Sequence, residues 1–233
     1  MLTLTRDQVR EVDRLAIEVL GMPGVVLMEN AGRAVSDMTL DLLEGELHLV
    51  AQDANVVILC GGGNNGGDGY VIARHLSNAG VNVTAVAIKD AADLRGDAAV
   101  NWAIADRMGR VAPAPSIQDL HERLTGPNGP HVIVDALLGT GFQGDVRDDL
   151  AQVIQVCIAA HEAGVKVVAV DVPSGLDCDT GQPSNATIIA DMTVTFVAAK
   201  VGFTQSAAEP YVGQIIPVEI GTPPSLIGRV LSA

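Results

Sequence analysis

Short apolar segments alternate along the chain with amphipathic ones. Residues 56–60 are apolar and rich in β-branched types, which predicts a buried strand, and Val71, Ile72 and Leu76 follow it at near-helical spacing. The chain is therefore predicted to be of the α/β class. The same pattern predicts further strands at 81–88, 111–115, 131–136, 166–172, 190–198 and 212–220, and helices at 96–108, 117–124 and 148–161.

Two helices are predicted before the first of these strands. Thr5 and Gln8 have the spacing of a capping box, and Val9, Val12 and Ala16 follow on one helical face. A second helix is expected over residues 23–42, because its first residue is a proline, which is favoured in the first turn of a helix. The apolar faces of this N-terminal helical extension predict a homodimer, most simply a twofold one.

Strands that alternate with helices imply one domain over residues 1–233, with three αβα layers and a doubly wound, mainly parallel, Rossmann-like sheet. If the strand order begins 3-2-1-4-5, the strand at 56–60 lies beside the strand at 132–135, and the order reverses between them. Ligands bind outside the carboxyl ends of the strands at such a reversal. The loops at 61–69, 135–144 and 171–175 are therefore predicted to converge on one site.

Composition and charge narrow the class of partner. The chain has 233 residues, is 48% hydrophobic and only 3% aromatic, and carries a formal net charge of −14. Such a charge repels nucleic acid and anionic membrane surfaces, so neither is expected as a partner. Three cysteines without metal spacing, and an N-terminus without a targeting pattern, predict a soluble protein of the reducing cytoplasm.

The segment 61–69 is the most informative single stretch of the chain. It reads GGGNNGGDG, directly between a predicted strand and a predicted helix. Glycine lets a ligand approach the backbone, and the free N–H groups at a helix start favour an anion such as a phosphate. The side chains of Asn64, Asn65 and Asp68 add oxygen and amide groups that suit a polar ligand or a hard cation.

Three segments together resemble the NAD(P)H-hydrate epimerases, also called YjeF N-terminal domain or apolipoprotein A-I-binding proteins. They are 61–69, 135–144 (DALLGTGFQG) and 171–177 (DVPSGLD). Two further stretches, 28–32 and 190–196, are similar to the same family, so the resemblance extends over nearly the whole chain. It implies an enzyme that interconverts the R and S forms of hydrated NADH or NADPH, which carry a hydroxyl on the reduced nicotinamide ring.

The resemblance also implies a set of site residues and a cofactor. A potassium ion would be held by Asn65, Asp135 and Ser174. The family commonly occurs fused to a kinase-like dehydratase domain, for which this chain is too short, so a separate dehydratase is expected to act on the product. Substrate contacts would be made by Asn64, Asn65, Gly66, Gly67, Asp68, Gly139, Thr140, Gly141, Phe142, Gln143, Gly144 and Asp171.

Asp171 is the candidate catalytic residue, because it closes a predicted strand at the crevice. The ring nitrogen can expel the hydroxyl of the substrate and leave a planar cation that water re-enters from either face. The leaving hydroxide limits this reaction, and a general acid that protonates it, and later accepts a proton from the incoming water, typically contributes about 10²–10⁴-fold in rate. Burial would raise the pKa of such a carboxyl and a nearby cation would lower it.

Other interpretations of the same residues remain open. The strand-end residues Asp135 and Asp171 could simply cap turns, Ser174 could cap a helix, and Lys200 could be a solvated strand end. The glycine segment also satisfies G-x-G-x-x-G, and Asp90 ends the next strand, as in a dinucleotide-binding dehydrogenase. A non-catalytic nucleotide-binding or protein-interaction module on the same fold is a third alternative.

Overall fold

Seven parallel strands form the central sheet in the computed structural model, which describes residues 1–232. In chain order the strands are β1 (Thr3–Leu4), β2 (Asn55–Cys60), β3 (Asn82–Ala87), β4 (Val111–Pro113), β5 (Val132–Ala136), β6 (Lys166–Val170), β7 (Met192–Phe196), β8 (Ala199–Lys200) and β9 (Gln214–Val218). Their order across the sheet is β4-β3-β2-β5-β6-β7-β9, whereas β1 and β8 form a separate parallel pair. The predicted reversal between β2 and β5 is confirmed, with Val56 opposite Val132.

Helices cover both faces of this sheet. They are α1 (Arg6–Glu18), α2 (Gly24–Gly45), α3 (Asn64–Asn78), α4 (Gly96–Arg107), α5 (Ile117–Thr125), α6 (Asp148–Glu162), α7 (Glu209–Val212) and α8 (Pro224–Leu231). Alternate residues of β2 enter different cores: Val56, Ile58 and Cys60 join the cluster that contains α2 and α3, and Val57 and Leu59 join the one that contains α5 and α6. This alternation produces the predicted three-layer αβα arrangement.

The N-terminal extension has the predicted capping box. The Thr5 hydroxyl accepts a hydrogen bond from the backbone of Gln8, whose side chain accepts one from the backbone of Thr5. The first helix ends at Glu18, and Pro23 precedes the first residue of α2 rather than lying within it. Within residues 1–232 no helix is both long enough and apolar enough to cross a membrane.

The glycine segment differs from its prediction as a loop. Only Gly61–Gly63 lies outside regular structure, because α3 already begins at Asn64. The glycines inside the helix allow close packing: a Cβ atom on Gly69 would lie 2.7 Å from Cys60 Sγ and 2.9 Å from Ala136 Cβ. Composition indicated a turn here, but the need for close helix–sheet contact explains these glycines instead.

Candidate functional site

A cavity of about 850 Å³ opens outside the carboxyl ends of the strands, at the reversal between β2 and β5. This is the position at which doubly wound sheets bind their ligands. Most of the residues predicted to contact a substrate line this cavity, namely Asn64, Asn65, Asp68, Gly139, Thr140, Gly141, Phe142, Gln143 and Asp171. The structure therefore brings together three segments that are far apart in the sequence.

Gly66, Gly67 and Gly144, also predicted to contact substrate, lie outside the lining of this cavity. Gly66 packs directly on the carbonyl oxygen of Gly61, so closely that an added Cβ atom would overlap it. A Cβ atom on Gly67 would lie 2.7 Å from the sulfur of Met28. The first two glycines therefore hold α3 against its neighbours, and Gly144 has a positive φ of 79°.

The first turn of α3 presents its backbone to the cavity. Gly62, Gly63 and Asn64 all line it, and no side chain caps this helix within the described residues. The N–H groups of such a first turn have no partner within the helix and attract anions. Asn65 fixes this turn to the loop after β5, since its side-chain amide donates a 2.8 Å hydrogen bond to the carbonyl oxygen of Leu138.

Asp135 and Ser174 lie behind the cavity rather than in its lining. The Asp135 carboxyl is fully buried and accepts hydrogen bonds from the Ser174 N–H at 2.8 Å and the Ser174 hydroxyl at 2.6 Å. The Ser174 hydroxyl oxygen in turn accepts one from the N–H of Leu138 at 2.9 Å. Burial raises the pKa of Asp135 to about 6, and the bonds from Ser174 and Leu137 oppose that shift.

These contacts gather several oxygen atoms in one place. Asn65 and Ser174 both bond to the carbonyl oxygen of Leu138, and Ser174 also bonds to Asp135. A carboxylate, an amide oxygen, a hydroxyl and a backbone carbonyl are the ligands that hard cations prefer. The donor set is therefore chemically suited to a monovalent cation, which would also offset the buried charge of an ionised Asp135.

Two residues with positive φ border the cavity side by side. Asp171 has φ 66° and Val197 has φ 69°, and both line the cavity. Each is the centre of a tight turn, with hydrogen bonds of 2.8 Å from Val172 N–H to Val170 O and from Ala198 N–H to Phe196 O. A β-branched residue in this conformation costs about 1–3 kcal/mol, and such strain is concentrated at functional sites.

Asp171 is held by a fully buried lysine. Lys200 donates from Nζ to Asp171 Oδ1 at 2.7 Å and to the Thr195 hydroxyl oxygen at 2.7 Å. The Phe196 N–H and the Thr195 hydroxyl also donate to Oδ1 of Asp171, at 3.2 and 3.3 Å. From the sequence, Lys200 is predicted to be a solvated strand end in preference to a catalytic group, since the pattern does not show that the turn at Val197 folds it inward.

Asp13 and Arg6 on α1 were not among the predicted site residues. Asp13 lines the cavity, and its position four residues after Val9 and three before Ala16 places it on the apolar face of α1. A carboxylate on the buried face of an amphipathic helix was the signal that could have identified it. The Arg6 guanidinium instead holds the 139–144 loop, by donating to the carbonyl oxygens of Thr140 at 2.6 Å and Phe142 at 3.1 Å.

Asp90 does not occupy the position that the dehydrogenase alternative requires. It is exposed, immediately precedes a short 3-10 helix (Ala91–Asp93) after β3, and borders a separate pocket of about 420 Å³ at the β3–β4 edge. In a dinucleotide-binding dehydrogenase the acidic residue after the second strand contacts the same ligand as the glycine turn. In this protein Asp90 and the glycine turn border different cavities.

A doubly wound αβα sheet with a polar cavity and a helix N-terminus at its reversal point defines a Rossmann-like small-molecule-binding domain. Residues 24–202 match the family described as YjeF-related protein N-terminus. The chain belongs to that family. The match begins after α1, so Arg6 and Asp13 lie outside the matched segment.

Curated relatives and one solved structure extend this assignment. An NAD(P)H-hydrate epimerase of Rhodopirellula baltica is 39% identical over 96% of this chain and 86% of the relative, and one of Pirellula staleyi is 38% identical over 97% and 95%. A bifunctional NAD(P)H-hydrate repair enzyme Nnr of Thermanaerovibrio acidaminovorans is 39% identical, and the chain spans 41% of its length. The crystal structure of yeast YNL200c shares the fold, with a TM-score of 0.81 at 23% identity over 99% of this chain and 93% of the yeast chain.

Proposed function

We propose that this protein is an epimerase that interconverts the R and S forms of hydrated NADH and NADPH. The observation that carries the proposal is that Asp171, ion-paired to the buried Lys200, lines the same cavity as the first turn of α3. The relatives that are named NAD(P)H-hydrate epimerase, and that match almost the whole chain, support it. The dehydrogenase alternative lacks support, since Asp90 borders a different pocket.

The cavity suits a dinucleotide with an anionic diphosphate. The N–H groups at the start of α3 are candidate phosphate donors, and Lys89 and Arg147 add positive charge to the same lining. The loop 139–144 lies beside this turn and is the candidate contact for the rest of the substrate. Positioning by these groups would hold the reduced nicotinamide ring near Asp171.

Asp171 supplies the acid–base chemistry in this proposal. The lone pair of the ring nitrogen expels the hydroxyl, and water adds to either face of the planar cation that results. As the ion-paired partner of Lys200, the Asp171 carboxylate is suited to accept the proton of the incoming water. The expulsion step needs a proton in addition, because hydroxide is a poor leaving group.

The Asp171→Asn variant tests this assignment. It removes the proton-accepting group but keeps the size of the side chain, so the rate of epimerisation should fall by about 10²–10⁴-fold, with KM changed much less. Purified R and S substrates would be followed by chromatography, with Asp41→Asn on the exposed face of α2 as the control. Turnover of the Asp171 variant within about threefold of wild type contradicts the catalytic role.

The same assay separates the three functional classes. Interconversion of R and S substrate supports the epimerase, and hydride transfer to or from the cofactor would indicate a dehydrogenase. Binding without any turnover would indicate a non-catalytic module. Because each epimer is supplied pure, the appearance of the other epimer identifies epimerisation directly.

We also propose that one potassium ion per subunit is held by Asn65, Asp135 and Ser174. The support is the oxygen-only donor set and the full burial of the Asp135 carboxyl. The ion would supply a fixed positive charge that keeps Asp135 ionised and orders the loop after β5. Crystals soaked in rubidium or thallium salts should show an anomalous peak beside Asp135, and its absence in wild type, with the fold intact, contradicts the proposal.

A homodimeric assembly and a cytoplasmic location are two further proposals for this protein. A homodimer through α1 and α2 is supported by the exposure of Ile17, Leu20 and Val26, which are 43%, 50% and 41% exposed. Light scattering at micromolar concentration should give twice the chain mass, and a monomer mass rejects the dimer. A cytoplasmic location is supported by three free, buried cysteines among the described residues, and cell fractionation tests it.

A further inference from the structure

A second carboxyl group, that of Asp13, shares the cavity with Asp171. Asp13 lies in α1 and lines the cavity, whereas Lys200, the partner of Asp171, lies almost 190 residues later in the sequence. The Asp13 Oδ1 atom is buried and has no hydrogen-bond partner among the described residues. A carboxylate oxygen in that state costs free energy unless it carries a proton or meets a ligand.

A third carboxyl group provides an independent sign of a ligand at the same place. Asp68 on α3 lines the cavity, is only 7% exposed, and receives no side-chain hydrogen bond from residues 1–232. An unpartnered, deeply buried carboxyl at a cavity wall is uncommon in folded proteins, where nearly all such groups have partners. The cavity is therefore built to receive a polar group at the side that Asp13 and Asp68 share.

Asp13 and Asp171 differ in their partners: Oδ1 of Asp13 has none among the described residues, whereas Oδ1 of Asp171 accepts from Lys200. Asp171 is compensated by the buried Lys200 at 2.7 Å. Burial is the main cause that raises the pKa of Asp13 to about 6, and the negative charge of Asp171 is the second. The positive charge of Lys200 lowers this pKa. Two carboxyl groups that share one cavity but differ in burial and partners are a common arrangement of an acid with its base.

We propose that Asp13 is a further catalytic residue of this site, which donates the proton to the departing hydroxyl group while Asp171 serves as the proton acceptor. The inference rests on the proposed function. It assigns to α1, which precedes the family-matched segment, a direct part in the reaction. Asp68 contributes the polar contact that orients the hydroxyl between them.

The proton and electron count closes without another reactant. The carboxyl of Asp13 gives its proton to the hydroxyl oxygen, the C–O bond breaks with its electron pair moving to oxygen, and water leaves. The nitrogen lone pair forms the C=N bond of the cation. When water adds, the electron pair of the C=N bond returns to nitrogen and the surplus proton passes to the Asp171 carboxylate. Asp171 then releases its proton to solvent and Asp13 regains one from solvent, so both groups return to their starting states and nothing is oxidised or reduced.

The pH dependence of kcat/KM depends on the charged groups that surround Asp13. Asp171 and Lys200 face it from the ends of β6 and β8, and Asp68 faces the same cavity from α3. The remaining charged groups in the lining are Arg10, Lys89, Asp97, Asp145 and Arg147. If the Asp13 proton is needed, kcat/KM of the wild type falls as pH rises through about 6, since the protonated fraction then declines.

The Asp13→Asn variant is the principal experiment. We expect kcat for epimerisation to fall by about 10²–10⁴-fold with KM within about threefold, and the decline near pH 6 to disappear. Asp7→Asn makes the same substitution at an exposed position of the same helix and should behave as wild type. Asp13→Glu, which restores a carboxyl group, should recover part of the rate together with the pH dependence.

Three results would overturn the inference. One is an Asn variant within about threefold of wild-type kcat. Another is an Asn variant that loses activity but keeps the wild-type pH profile, which would make Asp13 merely structural. The third applies if the Asn variant does not fold. Carbon NMR titration of Asp13 in the wild type would then overturn the inference if its midpoint does not lie near pH 6 and match the kinetic profile. Wild-type protein without any epimerisation would reject the proposed function itself, and this inference with it.

Discussion

The Nζ atom of Lys200 lies 2.7 Å from Oδ1 of Asp171, and none of the lysine side chain is exposed. A buried ammonium group is tolerated only where acceptors surround it, and here they are a carboxylate, a hydroxyl and the backbone carbonyl oxygens of Phe196 and Ala198. The pair therefore connects the residue after β6 to β8 and holds Asp171 at the cavity lining.

Replacement of Lys200 by methionine should destabilise the protein. The Asp171 carboxylate would lose its partner while only 7% exposed, and removal of one member of a buried pair typically costs about 3–5 kcal/mol. Urea unfolding measures the change, with Lys89→Met, at a part-exposed position, as the control. A loss below about 1 kcal/mol, the usual value of a surface pair, would show that the buried pair contributes little.

Arg6→Lys should weaken substrate binding more than turnover. Arg6 is 3% exposed and donates to the 139–144 loop and to Asp177 at 3.0 Å, a fork that lysine cannot reproduce. We expect KM to rise by about tenfold, equivalent to about 1.4 kcal/mol, with a smaller change in kcat. Steady-state kinetics on both epimers provides the measurement. Arg14→Lys, at an exposed pair on α1, should leave both constants unchanged, and equal values for Arg6→Lys would refute the role of the fork.

Gly66→Ala should destabilise the fold despite the higher helix propensity of alanine. The new Cβ atom would overlap the backbone oxygen of Gly61, which cannot move aside as a flexible side chain can. The matched control is Gly228→Ala in α8, where no described atom lies within 4 Å of the added carbon. That control should gain about 0.5–1 kcal/mol. Thermal unfolding that shifts both variants in the same direction would contradict the packing argument.

Asp13 should make stability depend on pH in a direction opposite to an ion-paired carboxylate. Its pKa is raised from 3.8 to about 6 in the folded state, so folding binds a proton between these values. The stability it confers relative to Asp13→Asn is present below about pH 4 and is lost as pH rises through about 6, by up to about 3 kcal/mol. Denaturant unfolding of both proteins at pH 4, 5, 6 and 7 tests this difference. A difference that does not vary with pH contradicts it.

The sheet and the position of the site could be predicted because they depend on local pattern. The apolar segments at 56–60 and 132–136, each followed by a glycine-bearing turn, sufficed to place β2 beside β5 and the loops at one edge. The side chains that this edge brings together include Asn65, Asp68 and Asp171, all predicted from the three segments. Helices and strands with a strong hydrophobic period can be predicted from the sequence in this way.

Other features could not be recovered because they arise from long-range packing. The start of α3 at Asn64 was obscured by glycines that indicate a turn locally but serve helix–sheet contact in the fold. The burial of Lys200 depends on the positive φ of Val197, a conformation that a β-branched residue rarely adopts. The helical spacing places Asp13 on the buried face of α1, but it does not show that this face packs over the cavity.

The short pairing of β1 with β8 has a consequence for how the protein is made. Thr3 pairs with Ala199, and Leu4 pairs with Lys200, so residues 3–4 cannot pair until residues 199–200 have been synthesised. At about 5–20 residues per second, roughly 10–40 s of translation separate the two strands. Until then the nascent chain has its glycine turn and most of its sheet but lacks Lys200. The Asp171–Lys200 ion pair can therefore form only after both strands of the β1–β8 pair have been synthesised.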